Sequence, residues 1–154
     1  MIPLKDLHPT RTVPFVNRLL LLGNLALWLY VVTLDRVSVD AFFARYSFDW
    51  TTFAASVETG DLSPVTLAPI LTHQFLHAGW LHVLGNLLYL WIFGDRVEDR
   101  LGHARYLAFY LLAGVAAAVG QGLLAPGPMV GASGAIAGVL GAYLILSPTA
   151  GIRT

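Results

Sequence analysis

The 154-residue sequence contains no cysteine, which excludes a disulfide framework and any thiolate metal site. Charge is scarce as well. Only 12% of residues are Asp, Glu, Lys or Arg, half of the roughly one quarter carried by an ordinary soluble chain. Nine basic and nine acidic residues cancel, so nucleic-acid binding has no electrostatic basis. What is abundant is apolar: 56% of residues are hydrophobic and the mean hydropathy is +0.69.

The charges are clustered, and the gaps between them are long. Leu19 to Leu34 (16 residues), Leu62 to Gly94 (33) and Tyr106 to Ile152 (47) hold no Asp, Glu, Lys or Arg. A large soluble core would need charged outer faces at helical spacing, and these runs have none. As one helix the longest run would measure about 70 Å, more than twice a hydrocarbon core of about 30 Å. It must therefore turn back, and Ala125-Pro126-Gly127-Pro128 is where it cannot continue as helix.

The expected fold is an all-α, polytopic transmembrane bundle with spans at about 15–34, 80–93, 104–124 and 133–146. A cytoplasmic segment, 1–14, precedes the first span, and an outer loop, 35–69, follows it. The fourth span is short, about 21 Å, and Ser147-Pro148 closes it. The first is not a cleavable signal peptide: its leader holds Pro3, Pro9 and Pro14, and no A-x-A-like site follows. Lys5, Arg11, Arg18, Arg96, Arg100, Arg105 and Arg153 fall on one side of this layout, and Arg36 and Arg45 on the other. The positive-inside bias makes the amino terminus cytoplasmic. The outer loop carries Phe42, Phe43, Tyr46, Phe48 and Trp50, a composition suited to the membrane interface.

Two polar centres interrupt the apolar runs. The first is Leu71-Thr72-His73-Gln74-Phe75-Leu76-His77-Ala78-Gly79-Trp80-Leu81-His82-Val83-Leu84-Gly85-Asn86. Polar groups at membrane depth are costly and usually face a bundle interior or a wet cavity. His82 and Asn86 are i,i+4 neighbours on one helical face, whereas His73 is half a turn out of phase with His82. The helix proper is expected to begin near Gly79-Trp80, with His73 and His77 on the stretch leading into it. An HxxxH pair is a zinc geometry, but Gln74 stands where a metalloprotease has its glutamate. A proton relay and plain interhelical hydrogen bonding remain as further readings.

The second centre is Met129-Val130-Gly131-Ala132-Ser133-Gly134-Ala135-Ile136-Ala137-Gly138. Serine opening a helix is commonly only a cap. Here Gly131 and Gly134 flank Ser133 and allow close approach to its hydroxyl, while free N–H groups and the positive end of the helix dipole lie beside it. Those are the donors an oxyanion needs. Gly134, Ala137, Gly138 and Gly141 form a small-residue strip for close helix packing.

The series His73, His77, His82-x-x-x-Asn86, then Gly94-Asp95-Arg96-Val97-Glu98-Asp99-Arg100-Leu101-Gly102, then Gly131-Ala132-Ser133-Gly134 resembles a prokaryotic-type rhomboid intramembrane serine protease from about Pro69 onward. The resemblance implies Ser133 as nucleophile and His82 and Asn86 as oxyanion donors together with the Ser133 N–H. It implies Gly131 and Gly134 as the active-site loop and Glu98-x-Arg100 as a structural motif. For Glu98 and Arg100 an exposed ion pair worth under about 1 kcal/mol is the competing expectation. The implied activity is peptide-bond hydrolysis in or near transmembrane segments of membrane-protein substrates, in the lipid bilayer of the cell (inner) membrane, with no metal, organic cofactor or nucleic acid.

The resemblance also implies six spans and a base histidine on the sixth, packed on the serine helix. No histidine follows His103 in this sequence, and a partner helix for the glycine strip is absent from it. The expectation is therefore a fragment of a longer protease, inactive by itself. The alternative is a catalytically dead rhomboid-like protein that binds membrane-protein clients.

Overall fold

A computed structural model describes residues 5–6, 11–148 and 152–153. Parts of the expected 1–14 segment, and of the stretch after Pro148, lie outside the described residues. The order is β1 (Lys5–Asp6), α1 (Phe15–Val31), α2 (Arg36–Tyr46), β2 (Phe48–Asp49), α3 (Trp50–Thr59), α4 (Pro64–Leu67), α5 (Pro69–Thr72) and a 3-10 turn (His73–Phe75). Then come α6 (Trp80–Tyr89), a π turn (Leu90–Gly94), α7 (Asp95–Leu101), α8 (His103–Leu124), β3 (Pro128–Met129), α9 (Ser133–Leu146) and β4 (Ile152–Arg153). The two-residue strands pair antiparallel, β1 with β4 and β2 with β3.

Helices α1, α6, α8 and α9 pack around a core of Leu20, Leu90, Val97, Tyr106, Tyr110 and Val139. A smaller cluster of Trp28, Val31 and Val83 reaches Phe42 and Phe43 of α2. Among the described residues, α8 is the one helix long and apolar enough to cross a membrane alone, and α1 and α9 are shorter apolar helices. The glycine strip finds part of its partner within this chain. A Cβ on Gly134 would stand 2.5 Å from the Ala117 methyl, and one on Gly138 2.6 Å from that of Ala113. Gly134 and Gly138 thus let α9 lie directly on α8, which corrects the expectation that their partner helix is absent. Gly141 has open space.

Two further expectations are revised. The segment 35–69 is not an irregular loop: it folds into α2 to α5. Asp35 accepts the Ser38 N–H at 3.0 Å and Asp49 accepts the Thr52 N–H at 3.0 Å, so two N-caps start the longer helices. Hydrogen bonds from the Thr51 hydroxyl and then the Thr52 N–H hold the Asp49 carboxyl below its ordinary range. The second expected span does not stop at Phe93. It runs on through the π turn into α7 and ends at Gly102, where φ is +78°, a conformation that glycine adopts without strain.

The π turn lies against a buried polar side chain of α1. Asn17, fully buried, donates through Nδ2 to the Leu90 carbonyl at 3.0 Å and to Asp95 Oδ1 at 2.7 Å, while its Oδ1 accepts the Tyr106 hydroxyl at 2.7 Å. Asn17 thus binds the carbonyl of the first residue of the π turn. Beside it Glu98 is also fully buried. Its carboxylate accepts the Val16 N–H at 3.0 Å and the Asn17 N–H at 2.6 Å, capping α1 from a different helix. His103 Nδ1 lies 2.5 Å from the same carboxylate. Glu98 therefore does not form the exposed pair with Arg100 expected above, and Arg100 is exposed.

Charge-assisted hydrogen bonds of this kind are worth about 1.5–3 kcal/mol each. Glu98→Ala is expected to destabilise the protein by about 3 kcal/mol in a mixed-micelle unfolding titration, whereas Arg100→Ala should stay within about 0.5 kcal/mol. Equal losses from the two variants would restore the exposed-pair reading.

Candidate active site

Both polar centres meet at the end of the bundle opposite α7. The stretch 73–79 leads into α6 with the buried side chains of His73, Gln74 and His77. Gln74 occupies the space left by Gly114 on α8 and donates to the Leu111 carbonyl at 3.3 Å. The His73 carbonyl accepts the Gly131 N–H at 2.8 Å, so this stretch holds the loop before α9 from one side. The β2–β3 pair holds it from the other, with Phe48 opposite Met129 and Asp49 opposite Pro128. Trp50, at the start of α3, lies against Gly122 of α8. Sequence reasoning missed these anchors, because neither a backbone carbonyl nor a two-residue strand leaves a compositional mark.

Gly131 is the point of closest approach. Its φ of +115° suits glycine alone, and a Cβ there would stand 2.5 Å from His82 Nε2 and 3.7 Å from Asn86 Nδ2. The loop therefore passes directly under the two α6 side chains. The Ala78 N–H donates to His82 Nδ1 at 3.4 Å. In the neutral ring that contact leaves the proton on Nε2, the nitrogen facing Gly131, and makes it a donor. Asn86 Nδ2 is buried without a hydrogen-bond partner. An orphaned buried donor is costly, and this one is aimed at the same place. His77 packs edge-on against His82 with ring centroids 5.0 Å apart, which limits the freedom of the imidazole.

Ser133 is the first residue of α9 and is exposed. Its backbone N–H belongs to the first turn, where intrahelical partners are lacking. Of the expected site residues, His82, Asn86 and Gly131 are in mutual reach, and Ser133 follows two residues beyond Gly131. Gly134 is separate: it sits inside the first turn and packs on Ala117 of α8 rather than lining the loop. His73 and His77 support the site from behind. His103 lies at the other end of the bundle, on Glu98.

Residues 65–154 match the family model described as the rhomboid domain. Over 78 residues the chain is 42% identical to "Rhomboid protease GluP" of Bacillus subtilis (strain 168), covering 51% of this chain and 15% of that protein. It is 38% identical over 79 residues to "Putative rhomboid protease YdcA" of the same strain, covering 50% and 40%. It is 34% identical over 71 residues to "Rhomboid protease GlpG" of Yersinia pestis (strain Pestoides F), covering 46% and 26%. The matched stretches span less than half the length of each of these relatives. The family model, however, takes in well over half of this chain: an all-α protein whose α6 donors close over the loop before α9, it belongs to the rhomboid family.

Proposed function

We propose that the protein is an intramembrane serine endopeptidase that hydrolyses peptide bonds in or near the transmembrane segments of other membrane proteins. The observation that carries this reading is the convergence of His82 Nε2 and the unpartnered Asn86 Nδ2 on Gly131, two residues ahead of a serine at a helix start. In it the Ser133 hydroxyl attacks the scissile carbonyl. The oxygen that becomes negative is met by Asn86 Nδ2, His82 Nε2–H and the Ser133 N–H, and such fixed donors are worth most where water is excluded. Collapse of this intermediate breaks the peptide C–N bond, the departing amine takes the proton the base removed from Ser133, and water then hydrolyses the acyl-enzyme to release the acid and free the serine.

The proton from Ser133 needs a base within about 2.6–3.2 Å. The family resemblance assigns that role to a histidine on a further helix, and no histidine follows His103 here. The exposed Ser133 and Ala137 and Gly141 form a stripe on α9 along which a helix carrying such a histidine would lie. The layout that fits is a multi-pass protein of the cell (inner) membrane with its amino terminus and the arginine-rich α7 end in the cytoplasm. Helix α9, at 14 residues, measures about 21 Å against a core of about 30 Å. Anchored at the cytoplasmic side, it leaves Ser133 below the outer surface in a pocket that water enters from outside. Substrates would be single-span proteins whose helix unwinds easily near that surface, because a helix hides its carbonyls.

In proteoliposomes containing the complete protein and a single-span substrate, Ser133→Ala should abolish cleavage. Asn86→Ala should slow it by about 100- to 1,000-fold, and an unchanged rate would remove Asn86 from the oxyanion site. Gly131→Ala forces a side chain into a left-handed backbone and against His82. It should slow turnover and lower stability by about 1–3 kcal/mol in the same unfolding titration. Cleavage by the purified 1–154 chain that Ser133→Ala abolishes would place the base within it.

A further inference from the structure

Away from the serine, α1 and α6 leave a groove of about 520 Å³ open to the outside, lined by Arg18, Leu21, Leu25, Leu84, Leu88 and Trp91 among others. Arg18 stands in the first turn of α1 and, among the described residues, is the only charge on its walls. Trp91 is 59% exposed and Leu84 51%, so neither is committed to the core. Arg18 to Leu25 and Trp91 to Leu84 are each seven residues apart, about 10 Å of helix. The groove therefore has a charged, aromatic mouth and an apolar floor, and its depth lies within one leaflet of a core about 30 Å thick. A partner helix needs an apolar face running the whole thickness; one acyl chain needs no more than this.

The charge at the mouth selects the ligand. Asp95 lies near Arg18, but its carboxylate already accepts the Asn17 amide. Glu98 is occupied by the Val16 and Asn17 N–H groups, and Asp99 by the Arg11 N–H and by the Thr12 N–H and hydroxyl. Arg11, Arg18, Arg96, Arg100 and Arg105 outnumber these three carboxylates at this end. A basic surface at the headgroup level attracts anionic lipid, and tryptophan favours the same depth.

We propose that the α1–α6 groove binds one anionic phospholipid, its phosphate on the Arg18 guanidinium and one acyl chain along Leu21, Leu25, Leu84 and Leu88. The site rests on membrane embedding alone and is independent of the chemistry at Ser133.

The test uses the complete protein in a neutral detergent, with native mass spectrometry for retained lipid and the thermal unfolding midpoint as readouts. Phosphatidylglycerol should be retained at one molecule per chain and raise the midpoint saturably. Phosphatidylcholine with the same acyl chains should be retained about five-fold more weakly, the factor for one basic group, and inorganic phosphate should do nothing. Arg18→Gln should erase the preference for phosphatidylglycerol, and Arg18→Lys should keep part of it. Leu84→Trp should fill the groove and abolish retention of both lipids, while Leu112→Trp, on the exposed face of α8, should leave retention intact. Equal retention of the two lipids, an equal effect of free phosphate, or an Arg18→Gln variant that still prefers phosphatidylglycerol overturns the proposal. So does the absence of retained lipid, whether the groove stays empty or another stretch of protein fills it. Ser133→Ala should bind lipid like the wild type, which separates failure here from failure of the protease reading.

Discussion

A carboxylate removed from water must find donors, and Glu98 finds them on another helix. The first turn of α1 presents unsatisfied N–H groups, Pro14 at its N-cap offers no side-chain acceptor, and the Glu98 carboxylate supplies what is missing. Each group answers the other's desolvation, so neither helix end is stable at this depth without its partner. Asn17 extends the same junction to Leu90, Asp95 and Tyr106, and Arg96 carries it on to Ser147 at the end of α9. Helices α1, α7, α8 and α9 are thereby fixed to one another at one end by polar contacts. Lipid tails give apolar helices no reason to associate, so such contacts matter more than they would in a soluble bundle.

The other end is held differently. There the close fit is steric: α9 lies on α8 through Gly134 and Gly138, and Gly131 passes beneath His82. Backbone hydrogen bonds from Gly131 to His73, and between β2 and β3, fix the loop without using the side chains of His82 or Asn86. His82 and Asn86 stay available because other groups do the holding. That division suits a site whose donors must be in place before charge develops.

The legible parts of the sequence were those whose causes act over a few residues. Ala125-Pro126-Gly127-Pro128 and Ser147-Pro148 announce where helices stop, since a missing N–H or a fixed φ acts locally. The series from His73 to Gly134 announces the family, since the types and spacings of reacting groups are constrained by chemistry. What was hidden depends on distant partners. Glu98 meets α1 across 82 and 81 positions of sequence, and no pattern around Glu98-Asp99-Arg100 distinguishes a buried cap from a solvated pair. The glycine strip was visible, but which neighbour it faces was not, because small residues permit close approach without naming the helix that approaches. The folding of 35–69 into helices was obscured by its aromatic, weakly amphipathic composition, although Asp35 and Asp49 in retrospect are ordinary caps.

The π turn at Leu90–Gly94 makes the junction and the reacting end geometrically dependent on each other. Each residue of a helix turns the next by about 100°, and a π turn accommodates one residue beyond the regular α-helical count. Removing one residue from 90–94 would therefore return that turn to regular α-helix with His82 and Asn86 still facing as they do, whereas inserting one more would swing both by about 100° around the axis relative to Glu98, leaving both sets of side chains chemically intact. The azimuth of the proposed oxyanion donors is thus set by a count of residues between two anchors.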